Sequence, residues 1–110
     1  MDIEERVRGD VTVLVLEGRL NLVSAGALKA RIDELVSGGS VCLVVDLTTV
    51  DFIDSSGLGA LIGGLKTARQ AGGDLRLAAP SEQVRAVLAL TNLDRILTPY
   101  ASVDEASHGW

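Results

Sequence analysis

Aromatic side chains are almost absent from this chain: one Trp, one Tyr and one Phe, 3% of 110 residues. A core must therefore be assembled from Leu, Val, Ile and Ala, and no row of aromatic platforms exists on which nucleic-acid bases could stack. There is a single cysteine, Cys42, so no internal disulfide can form. Set in the apolar run from Val41 to Val45, it reads as a small core residue rather than a reactive thiol. Basic residues number ten against fifteen acidic ones, a net charge of −5, and they are scattered rather than clustered. That excludes a phosphate-backbone footprint; the surplus negative charge suits solubility or a basic partner. No apolar stretch approaches the roughly 20 residues of a membrane helix. The N-terminus carries Asp2, Glu4 and Glu5 with no hydrophobic region, unlike a secretory signal. The expectation is a cytoplasmic protein with neither nucleic acid nor membrane as partner.

What is present is apolar: 47% of the residues, enough to bury a core in one domain spanning 1–110. Ile3 to Arg8 and Val11 to Glu17 read as strands joined by a tight turn at Gly9-Asp10, with Gly18 ending the second. The period then changes. Leu28, Ile32, Leu35 and Val36 share a helical face, with Ser24 as the expected N-cap and Gly38-Gly39 as the stop. Val41 to Leu47 is nearly continuous apolar sequence, as in a strand covered on both faces. Leu58, Leu61, Ile62 and Leu65 mark a second helix running to about Ala71 before Gly72-Gly73. A strand around Leu75 and Leu77 follows, then a helix from Pro80-Ser81 that includes Val84, Val87 and Leu88. Arg95 to Thr98 reads as a last short strand. Ser102 to Glu105 fits a capping box for a short terminal helix, with Ser107 to Trp110 expected to fray. The ordered core is placed at about 3–100. A hairpin followed by helix–strand alternation implies an α/β fold, a mostly parallel mixed sheet of about five strands with an antiparallel N-terminal edge strand.

The chemistry concentrates in Asp51-Phe52-Ile53-Asp54-Ser55-Ser56-Gly57-Leu58-Gly59. A buried strand, a short polar loop and a helix beginning on glycine would set paired hydroxyls beside unpaired N–H groups, where the helix dipole favours negative charge. Ser55 and Ser56 can cap the helix or carry a phosphate, and the two roles are compatible. The glycines at 57, 59, 63 and 64 disfavour a helix, so something must approach its backbone: its own sheet, or a partner laid across it. Asp46, Asp51 and Asp54 allow either a Mg²⁺ site or loop caps. A receiver-type phosphoacceptor is excluded because no acidic pair follows the early strands. A serine hydrolase lacks its Gly-x-Ser-x-Gly elbow, the only histidine is His108 near the terminus, and Gly63-Gly64-Leu65-Lys66-Thr67 has the wrong spacing for a phosphate loop. The residues point to a binding protein, not an enzyme, with no cofactor.

The same block, preceded by Val45-Asp46-Leu47 and Val50, resembles the signature of bacterial anti-sigma factor antagonists in the STAS domain family, which sulfate transporters share. Gly18-Arg19-Leu20-Asn21, Gly72-Gly73 and the segment from Leu88 to Ile96 extend the resemblance over nearly the whole chain. It implies that Ser55 is phosphorylated by a partner that is both anti-sigma factor and serine kinase and that brings its own ATP and Mg²⁺. Unphosphorylated antagonist binds that partner and releases the sigma factor; a metal-dependent serine/threonine phosphatase reverses the modification. Asp54, Ser55, Ser56, Gly57, Leu58, Gly59 and Asn21 would form the contact surface, with Asp54 orienting the acceptor serine. Where the family often has Gly-Glu-Leu-Asp, this chain has Gly18-Arg19-Leu20-Asn21, two acidic positions made basic and neutral, and its closing segment is shorter. An alternative within the family is an interaction module of a larger assembly, a lipid-transport complex or a stress-signalling particle, with no phosphorylation cycle.

Overall fold

Strands β1 (Asp2–Arg8) and β2 (Val11–Leu20) form an antiparallel hairpin in which Arg8 faces Val11. Its two-residue loop begins on Gly9 at φ +62, a conformation that side chains with a Cβ rarely adopt. In the computed structural model, which describes residues 1–110, three parallel pairings follow. β2 pairs with β3 (Cys42–Ile53), β3 with β4 (Asp74–Ala78), and β4 with β5 (Pro99–Tyr100). The sheet order is β1-β2-β3-β4-β5, the mixed five-stranded arrangement with an antiparallel N-terminal edge.

Alternation along the strands sorts the apolar residues onto two faces. Leu14, Leu16, Leu43, Val45 and Leu47 point toward helices α1 (Leu22–Ser37), α2 (Ser55–Gln70) and α3 (Glu82–Leu90), which contribute Leu28, Ile32, Leu61, Leu65, Val84 and Leu88. Val11, Val13, Val44 and Ala78 point the other way, under Ala106 of the short helix α4 (Val103–Ser107). Burial on both faces explains why the central strand reads as continuous apolar sequence.

Several boundaries differ from the sequence reading. Gly18 does not end β2. The strand passes through it at φ +115 and, with two register shifts against β3, reaches Leu20. β3 likewise continues to Ile53, so the expected polar loop before α2 shrinks to Asp54 alone, and the helix begins at Ser55 rather than on Gly57. α1 starts at Leu22, with Asn21 as its N-cap and Ser24 at the third helical position of a capping box. The strand expected over Arg95 to Thr98 is replaced by a 3-10 turn, Leu93–Arg95, after which Leu97 N–H donates to Leu93 O at 2.7 Å. That helical bend drops Leu97 fully into the core, and pairing resumes only at Pro99.

The C-terminal residues are held rather than frayed. Arg76 of β4 lies 3.8 Å over the Trp110 ring, and its Nη1 donates to Ala106 O (3.0 Å) and His108 O (3.1 Å). The cap of α4 is Ser102 as expected, but the Glu105 carboxylate accepts from Ala101 N–H, one residue ahead of the cap.

Candidate functional site

Two strand-to-helix corners sit side by side at the C-terminal end of the parallel strands. β2 ends at Leu20 opposite Ile53 of β3, so their N-caps, Asn21 and Asp54, are neighbours. Both caps have nearly the same extended backbone, φ −113 and ψ −168 for Asn21, φ −112 and ψ −174 for Asp54. Asp54 N–H donates to Leu20 O at 3.2 Å, tying one corner to the other. The Asn21 Oδ1 accepts from Ser24 N–H (3.3 Å), and Ser24 Oγ accepts from Asn21 N–H (2.8 Å) while donating to Arg19 O (2.6 Å).

At the second corner the cap is Asp54, whose Oδ1 accepts from Gly57 N–H at 3.0 Å and whose backbone oxygen accepts from Leu58 N–H at 3.0 Å. Capping by Ser55 or Ser56 therefore gives way to capping by the aspartate. Ser55 occupies the first helical position, exposed, and Ser56 the half-buried second. The Asp54 carboxylate is turned into the helix and bonds Gly57, not the Ser55 hydroxyl, so it fixes the start of the helix that carries the serine. The N–H groups of Ser55 and Ser56 precede the first intrahelical bond and face the end of the molecule.

The remaining expected contact residues divide by burial. Gly59 is exposed, with open space where a Cβ would stand, and falls one helical turn from Ser55. Gly57 and Leu58 turn inward. A Cβ on Gly57 would stand 2.6 Å from Leu20 O and 2.9 Å from Ile53 Cγ1, and Leu58 is 8% exposed. These two shape the corner but present no side chain to a visitor. Gly64 likewise admits Ile32 Cδ1 of α1, so two of the four glycines of α2 serve packing within the fold. Asp46 serves as a local cap, accepting from Thr48 N–H at 3.0 Å, and Asp51 is exposed.

Two features escaped the sequence reading, an exposed aliphatic pair and the stacking of Arg19. Leu22 and Val23, 73% and 84% exposed, stand on the first turn of α1 beside Asn21. A start at Ser24 hid them in a loop, although Asn-x-x-Ser could have revealed the true cap. Arg19, the basic residue at a position often acidic in the family, lies 4.2 Å over the Phe52 ring on the neighbouring strand. The end of the sheet thus shows a hydroxyl, an amide, two free aliphatic side chains and one stacked guanidinium.

The STAS domain model matches residues 2–106. TM1081 of Thermotoga maritima is 36% identical over 102 residues, covering 92% of this chain and 90% of its own. Its crystal structure superimposes with a TM-score of 0.89, covering 94% and 90% of the two chains. The anti-sigma-F factor antagonist RsfB of Mycobacterium tuberculosis is 30% identical over 101 residues, 90% of this chain and 80% of its own. SpoIIAA, an anti-sigma factor antagonist from Bacillus, shares the fold at 23% identity, with a TM-score of 0.81 in its unphosphorylated form and 0.74 in its phosphorylated form; the alignments cover 96% of this chain and 92% and 96% of SpoIIAA. With its sheet order, its paired corners and the Asp-Ser-Ser-Gly block on the second of them, the chain belongs to the STAS domain family, among the anti-sigma factor antagonists.

Proposed function

We propose that this protein binds an anti-sigma factor with serine kinase activity through the paired corners, releases the sigma factor that the partner held, and is switched off by phosphorylation of Ser55. The observation that carries the proposal is the division of labour at the start of α2. Asp54 caps the helix, which leaves the Ser55 hydroxyl exposed at the first position with no structural bond to lose. A kinase can take that hydroxyl without dismantling the corner. ATP and Mg²⁺ come with the partner, and a serine/threonine phosphatase resets the cycle in the cytoplasm.

The electrostatics favour a docking switch over an unfolding switch. A phosphoryl group brings about −1.5 to −2 charges. Within the fold it meets the unpaired N–H groups of Ser55 and Ser56, and the helix N-terminus offsets repulsion from Asp51 and Asp54 by about 0.3–1 kcal/mol. Against a partner that also covers Leu22 and Val23 it would be stripped of water without a counter-charge. A charge so buried and unpaired costs about 3–5 kcal/mol, or roughly 10²–10³-fold in affinity or more.

Titration calorimetry with the cognate kinase tests this. Ser55→Ala should bind and resist inactivation by ATP, while Ser55→Asp should fold normally and bind at least about 10²-fold more weakly. Equal affinities for the two variants would reject the switch and favour a module without a phosphorylation cycle.

A further inference from the structure

The sheet has one long free edge. β5 is two residues long and begins on proline, which blunts that side, whereas β1 offers seven residues with nothing paired to its outer edge. The two-residue turn makes Arg8 and Val11 a hydrogen-bonded pair, so Asp2, Glu4, Arg6 and Arg8 direct their N–H and C=O groups at β2. Ile3, Glu5 and Val7 direct theirs outward. Edge strands are commonly protected by charge, and a run of one sign would repel its own copy. The sequence here, Asp-Ile-Glu-Glu-Arg-Val-Arg, instead changes sign about its centre.

We propose that β1 pairs antiparallel with β1 of a second copy about a two-fold axis at Glu5, joining two sheets into one of ten strands. In that register Asp2 meets Arg8 and Glu4 meets Arg6, each twice, all on one face. On the other face Ile3 meets Val7, which is 75% exposed in the single chain. Ile3, Glu5 and Val7, whose backbone groups are free, map onto one another, so the hydrogen-bonding parity of an antiparallel ladder is met. The one like-charge meeting, Glu5 with its copy, is relieved because each Glu5 already holds Arg31 of α1 at 3.0 Å. Within one chain Glu4 and Arg6 now hold each other at 3.2 Å and Arg8 holds Asp104, so pairing exchanges or shares contacts between groups already poised for them. The two-fold sends the Ser55 corners to opposite ends of the joined sheet, so this association leaves both open and stands apart from the phosphorylation proposal.

Sedimentation equilibrium of the full chain, raised to about 1 mM, should show the mass climbing from one copy toward two. Glu4→Arg alone and Arg6→Glu alone each create two like-charge meetings per pair and should weaken association about tenfold or more. Mixed in equal amounts, these two variants restore every opposite-charge meeting and should associate with each other, a result that misfolded chains could not give. A wild-type mass fixed at one copy throughout overturns the proposal. So does association that persists undiminished in both single variants, or a mixture that fails to pair while the wild type does.

Discussion

Asp54 and Ser55 hold adjacent positions and opposite relations to the fold: one is spent on the helix, the other left free. Removing the cap should therefore be felt in stability, and removing the hydroxyl should not. Asp54→Ala is expected to lower unfolding free energy by about 1 kcal/mol, with Asp54→Ser recovering most of it, as read by urea denaturation. Ser55→Ala should unfold within about 0.5 kcal/mol of the wild type, since no bond in the fold depends on its oxygen. The aspartate's part was only half legible in the sequence. Its place before the serines was plain, but with the loop drawn too long its bond from Gly57 N–H was not. A cap placed three residues late likewise concealed Asn21, since Ser24 is itself a good capping residue and serves as the partner in the box.

Helix α2 illustrates how glycines of one element come to differ. Gly57 and Gly64 are closed by the backbone of β2 and by Ile32, but Gly59 faces open space. Gly59→Ala should accordingly stabilise the protein by about 0.5–1 kcal/mol, the ordinary helix-propensity gain, visible as a higher midpoint in urea. If the same substitution weakens kinase binding, the missing side chain is there to admit the partner's surface. The long elements were readable because their apolar period was sustained over several turns or a whole strand. The end of the chain was not: Ile96 and Leu97 look like strand residues, and only the packing of Leu97 into the core decides for a bend. The extension of β3 to Ile53 was equally hidden, because its exposed Thr48, Thr49 and Asp51 interrupt the apolar pattern.

Across the whole molecule the two faces of the sheet are unequally covered, three helices on one and five residues of α4 on the other. Arg76 holds that thinner cover through Trp110 and two carbonyls, so Arg76→Ala should cost about 1–3 kcal/mol. Trp110 is the only tryptophan, and its emission should shift red as the ring loses its neighbour. The corners at Asn21 and Asp54 lie at the far end of the sheet's strands from the turns at Gly9, Gly39 and Gly72, around which no other atom would meet an added Cβ within 4 Å. The molecule therefore has a spare end. A dye or a surface tether placed at the exposed Ser37 or Ala71, which adjoin those turns without their left-handed backbone, should leave recognition intact, which makes that end the natural handle for watching single molecules engage and let go.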